Sequence, residues 1–150
     1  MRPVRGKEAF ARRYAAPKAK IAKMKLRAIR ENHLYSKAYS KGKKYVGRCV
    51  VVYTLPDYAA ARLAKANPTK KRFNRVGITV TKKLGGAVER NRAKRIIREG
   101  YRLAELECPI RQGNLIVIVA RSGIIGAKSD DVRRDLSAAF KRLSLAAQNR

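Results

Sequence analysis

Arg90, Asn91, Lys94, Arg95, Arg98 and Arg102 recur at three- and four-residue spacing, so at about 100° per residue they fall in one arc of a helix. The chemistry open to such an arc is phosphate binding. Each guanidinium is a planar fork that bonds two phosphate oxygens at once, each ammonium is a point charge, and Asn91 adds a donor and an acceptor among them. Lys82 and Lys83 precede the arc across Gly85 and Gly86, placing two more cations at its entry. Surface helices normally mix signs, whereas an arc of one sign repels itself until an anion neutralises it. Tyr35 and Tyr39, four residues apart, and Tyr53 offer a second chemistry: flat rings on which bases of any identity stack. Their spacing is equally that of core aromatics, and composition leaves the two readings even.

Residues for acid–base or covalent catalysis do not gather. His33 is the only histidine, Cys49 and Cys108 lack CxxC spacing and an evident base, and ten carboxylates are scattered. The cysteines read as reduced, small, buried residues, which suits a cytoplasmic chain. Glu105 and Glu107 could hold Mg²⁺ beside RNA, but charges at a helix end are ordinarily solvated. The Gly85-Gly86 pair lacks both the Walker spacing and the spaced glycines of a dinucleotide site. Thirty-eight Lys and Arg against ten Asp and Glu give a formal charge of +28, which calls for a polyanionic partner. The cations are spread through strand, turn and helix patterns, and no apolar run approaches about 20 residues, so RNA fits better than a membrane. Charge alone suits a structural RNA-binding protein, such as a ribosomal component or RNA chaperone, as well as a processing factor.

The elements that must position these residues are legible in part. A helix is expected from His33 to about Lys41, capped by Asn32 and ended by Gly42, with Tyr35 and Tyr39 along one side. Tyr45 to Thr54 reads as one strand, with Cys49, Val51 and Tyr53 on one face and Val50, Val52 and Thr54 on the other; Pro56 closes it. Asp57 to Asn74 reads as a long exposed connection with room for a helical turn. Arg75 to Thr81 alternates, with Val76, Ile78 and Val80 on one face. Gly85 and Gly86 turn the chain into a long helix from about Ala87 to Glu107, ending before Pro109. Asn114 to Arg121 is apolar enough for a central strand buried on both faces, parallel to the one before. Ser129 caps a last helix, with Asp130 and Asp131 in its first turn and Val132, Leu136, Ala139, Phe140 and Leu143 as its buried stripe. The order is αβββαβα, one domain with a basic N-terminal extension, residues 1–25, expected to be disordered.

Lys82-Lys83-Leu84-Gly85 followed by Arg90-Asn91-Arg92-Ala93-Lys94-Arg95 resembles the signature of the bacterial ribonuclease P protein subunit, and the likeness extends through Asn32 to Gly42 and Arg48 to Leu55. It spans about Leu26 to Leu143; the segment around Ala59 to Thr69 lies outside it. Gly86 stands where that family often has Asn, and tyrosine stands at the first two aromatic positions, where the family often has phenylalanine. The resemblance implies an α+β fold, a single α/β sandwich over residues 26–146 with a four-stranded mixed sheet, a left-handed βαβ crossover and a short tail, residues 147–150. It implies a protein that is not itself catalytic: an RNA subunit holds the Mg²⁺ and removes the 5′ leader of precursor tRNA. Lys82, Lys83, Arg90, Asn91, Arg92, Lys94, Arg95 and Arg98 match the RNA-binding motif, and Tyr35, Tyr39 and Tyr53 match a cleft for the leader. The implied partners are the RNA subunit and precursor tRNA; the protein itself would bind no cofactor and need no second copy.

Overall fold

The computed structural model describes residues 27–67, 74–143 and 145; the N-terminal extension and the 147–150 tail lie outside the described residues. The elements run β1 (Arg27–Ala28), α1 (Asn32–Lys41), β2 (Lys43–Val46), β3 (Val50–Pro56), α2 (Tyr58–Ala66), β4 (Arg75–Thr79), α3 (Ala87–Glu107), β5 (Asn114–Ala120) and α4 (Ser129–Arg142). Among the described residues the sheet has five strands in the order β1-β4-β5-β3-β2. β1 and β4 are parallel, as are β4 and β5, while β3 runs antiparallel to both β5 and β2.

This corrects the expected four strands and the order αβββαβα. The two-residue β1 has no periodicity of its own and exists through its pairing with Arg75 and Val76. The single strand expected from Tyr45 to Thr54 is a hairpin, because the chain reverses at Gly47, whose N–H bonds Val50 O at 2.9 Å. Two side chains pin that turn: Arg121 Nη1 donates to Gly47 O at 2.6 Å, and Asp135 Oδ2 accepts from Cys49 N at 2.6 Å. Cys49, in the bend before β3, therefore joins Val50 and Val52 in the core rather than sharing a face with Val51 and Tyr53. Burial, then the neighbouring Asp135, pushes its thiol pKa up, and both cysteines are free.

β5 explains the layering. Its residues alternate between two apolar clusters, Ile116, Ile118 and Ala120 on one face and Leu115, Val117 and Val119 on the other, as a two-residue period dictates for a strand covered on both sides. On the first face Val50, Val52 and Val76 meet α3 through Ala93, Ile96, Ile97, Tyr101 and Ala104, and α4 through Val132, Leu136, Ala139 and Phe140. Tyr101 and Phe140 pack edge to face, centroids 5.9 Å apart; burying side chains of this size stabilises by roughly 1.5–3 kcal/mol each. The second face is covered by α1 through Leu34, Tyr35 and Ala38, with Ile29 beside it. Val76, Ile78 and Val80 share a face as expected.

The expected exposed connection after Pro56 contains α2, a helix that its alanine-rich run YAAARLAKA favours by propensity. Asp57 fastens its start: the residue is buried, its N–H donates to Gly113 O at 2.9 Å and its carboxylate accepts from Arg75 Nε at 2.9 Å. Helix starts differ from expectation by one residue. α1 begins at Asn32 with Glu31 as N-cap, and Glu31 binds Arg75 Nη1 at 3.1 Å instead of capping. α4 begins at Ser129, and Asp131 accepts from Lys128 N at 2.9 Å.

Candidate nucleic-acid interface

Between β4 and α3 the chain makes a short 3-10 turn, Lys82–Leu84, that sinks Leu84 against the core and leaves Lys82 and Lys83 exposed. Gly85 then takes φ 133°, a conformation that a side chain would strain, and α3 starts. Its buried residues, Ala93, Ile96, Ile97, Gly100, Tyr101 and Ala104, form one stripe. Asn91, Arg95 and Arg98 consequently point to solvent, and Arg90, Lys94 and Arg102 lie half-buried at the edges of the same arc. Arg90 Nε reaches back to Gly86 O at 3.4 Å. Among the described residues Lys94, Arg95 and Arg98 take part in no ion pair. The surface they make is a row of guanidinium and ammonium groups open to phosphate.

Arg92 differs from its neighbours. Its Nη2 donates to Ala127 O at 3.0 Å, tying α3 to the loop before α4. Glu107 differs from the expected solvated charge: its Oε2 accepts from Arg133 and from Ser137 Oγ, the latter at 3.1 Å. Arg133 also bonds Asp130 at 2.7 Å, holding the Asp130 carboxyl below its usual range. Burial pushes the Glu105 carboxyl pKa up. Among the described residues no group of three or more His, Cys, Asp or Glu could hold a metal ion. His33 is exposed.

The three tyrosines lie on the other face of the sheet. Tyr39 and Tyr53 pack edge to face with centroids 4.9 Å apart, and Tyr39 Oη bonds Thr79 Oγ1 at 3.2 Å. α1 thus places one ring across β5, from β3 to β4. Tyr39 is 42% exposed, enough to offer ring surface to a ligand, while Tyr35 and Tyr53 are half-buried. Tyr35 lies over β4, where a Cβ on Gly77 would come within 2.6 Å of its ring, and its hydroxyl donates to Ile29 O at 3.3 Å. Burial, then the neighbouring Tyr39, pushes the Tyr35 phenol pKa up, so the hydroxyl stays a neutral donor. The tyrosines are therefore part core and part surface: Tyr35 and Tyr53 pack against the second apolar cluster, and Tyr39 keeps ring surface exposed. Gly77 and Thr79 belong to this surface and were not among the expected site residues; their alternation with Val76 and Ile78 was the available signal.

No helix among the described residues is long and apolar enough to cross a membrane. The family model for ribonuclease P matches residues 24–144. The ribonuclease P protein component of Clostridium acetobutylicum is 34% identical over 122 residues, covering 81% of this chain and 92% of the relative. That of Thermoanaerobacter pseudethanolicus is 31% identical over 125 residues, covering 83% and 96%. The structure of Staphylococcus aureus RNase P protein superposes with a TM-score of 0.63 at 27% identity, over 82% of this chain and all of that one. The RNase P protein of Thermotoga maritima shares the fold, with a TM-score of 0.59 at 24% identity over 77% of this chain and 96% of that one. On this extent of match, the chain belongs to the ribonuclease P protein component family.

Proposed function

We propose that this chain is the RNA-binding subunit of a ribonucleoprotein endonuclease that removes the 5′ leader from precursor tRNA, with the chemistry carried out by the RNA. In this reading Lys82, Lys83, Arg90, Asn91, Lys94, Arg95 and Arg98 bind the RNA subunit through its phosphates, and Arg92 braces the helix that presents them. Tyr39 and Tyr53, supported by Tyr35, form the platform for the single-stranded leader. The observation that carries the reading is that cations and rings stand on opposite faces of one sheet, so two RNA segments can be held at once without competing. A cationic spacer between two RNAs lowers their repulsion and with it the demand for divalent ions. The Mg²⁺ that the reaction uses would be bound by the RNA subunit, and the assembly would work in the cytoplasm.

The test is reconstitution with a ribonuclease P RNA at limiting Mg²⁺. The protein is expected to restore precursor cleavage by the RNA and to cleave nothing alone. Robust cleavage by protein free of RNA, or no stimulation at any Mg²⁺ level, would overturn the reading.

A further inference from the structure

α2 carries a surface that the function above does not use. Tyr58, Arg62 and Lys65 are spaced i, i+4 and i+7, which places them in one stripe along the helix. All three are exposed, Tyr58 by 55%. Lys37 of α1 sits with Nζ 5.4 Å from the Tyr58 ring centroid, joining the two helices by a cation–π contact. Among the described residues neither Arg62 nor Lys65 takes part in an ion pair. The adjacent carboxylate, Asp57, is buried and bonded to Arg75, so it does not neutralise the stripe.

We propose that this stripe is a second site for single-stranded RNA, and that it takes the part of the precursor leader extending beyond the tyrosine platform. The proposal rests on the leader reading above. An exposed ring flanked by two unneutralised cations on one helix face matches a nucleotide in both of its parts: the ring stacks a base and the cations take the adjoining phosphates. The geometry also gives the path. On α1, Ala38 is buried, Tyr39 projects on one flank and Lys37 on the other, and the exposed ridge between them carries Ser36 and Ser40. Such small hydroxyl side chains let a strand cross the helix from Tyr39 to Tyr58. Because α2 is fastened at Asp57 through Gly113 and Arg75, the stripe is fixed relative to the sheet.

The experiment uses the reconstituted holoenzyme with precursor tRNAs whose leaders lengthen one nucleotide at a time, and mature tRNA as the leaderless control. Wild type is expected to gain affinity in two stages, the second appearing only with long leaders. Tyr58→Ala should abolish the second stage, a loss of roughly tenfold, the scale of one stacking contact. Arg62→Glu with Lys65→Glu, at positions too exposed to endanger the fold, should remove the same stage and flatten its salt dependence by about 0.7 per lost contact. Short leaders and mature tRNA should bind as before. An unchanged leader-length profile in both variants overturns the proposal, and equal weakening toward mature tRNA assigns the stripe to the tRNA body or RNA subunit instead. Failure of the leader reading itself looks different, since wild type would then show no leader dependence at all.

Discussion

Adding one methyl group at Gly77 should damage leader binding from beneath. The Gly77→Ala Cβ would lie 2.6 Å from Tyr35 Cε1 and Oη and 2.7 Å from Cζ, where ordinary contact begins at 3.4 Å. The ring must therefore retreat by about 0.8 Å or more, since Gly77 is held in β4 by its pairing with Val117 of β5. Overpacking of this kind costs roughly 1–3 kcal/mol. The Tyr35 hydroxyl bond to Ile29 O, already 3.3 Å long, cannot survive a shift of that size, which adds about 1 kcal/mol. The melting temperature should fall by roughly 2–4 °C per kcal/mol. Tyr39 is adjacent on α1, so tilting Tyr35 also disturbs the Tyr39–Tyr53 pair, and precursor affinity should drop by up to about 1–3 kcal/mol. The assay pairs a thermal melt with precursor and mature tRNA affinities measured on the holoenzyme. Wild-type stability together with wild-type preference for precursor would refute the close packing of Tyr35 on β4 and its role in the platform.

Arg90→Ala/Lys94→Ala/Arg98→Ala should weaken binding to the RNA subunit and lower the slope of log affinity against log salt by roughly 0.9 per lost contact, with a melting temperature equal to or above wild type because like-charge repulsion is relieved; a lower melting temperature at constant slope would make these residues structural. Arg92→Ala should behave oppositely to its neighbours, losing about 1–2 kcal/mol of stability in a urea titration because the Ala127 carbonyl loses a charged donor. The Asp130 carboxyl has its pKa lowered by Arg133, so its contribution to stability is complete above the ordinary carboxylate range and is lost as pH falls through the folded-state value. Glu105, raised by burial, acts with the opposite sign, so the informative quantity is the difference between wild type and Asp130→Asn, which should shrink from pH 7 to pH 3 in matched urea titrations.

How much was legible depended on whether a signal was local. The alternation of Val76, Ile78 and Val80, the bounds of α3, and the buried stripe of α4 are written in single windows of sequence, and each appears as read. The β2–β3 hairpin is hidden because Tyr45 to Leu55 keeps a strand-like composition through a turn that Arg121 and Asp135 fasten from far along the chain. β1 is too short to have a period. α2 is legible only as a helical turn within a connection, because its surroundings, Pro56, Pro68 and a basic run, outweigh its own alanine content. At the site, the arc on α3 follows from spacing alone, whereas the Tyr39–Tyr53 pair and the Gly77 floor are tertiary, and no spacing could supply them. Arg92 likewise looks like its neighbours until Ala127 is brought beside it.

The carboxylates are used unevenly. Glu31 and Asp57 bind Arg75, Asp130 and Glu107 bind Arg133, Asp135 holds the hairpin turn, and Asp131 starts α4. Much of the negative charge is thus spent on fastening one part of the fold to another, and among the described residues Lys94, Arg95 and Arg98 of the arc on α3 are left without an ion pair. The free chain consequently stores electrostatic strain that any bound anion releases, so sulfate, phosphate or RNA should each act on it as a folding ligand, raising its stability with concentration. An RNA affinity measured in phosphate buffer should then contain the work of displacing that anion, and should be weaker than one measured in chloride at equal ionic strength.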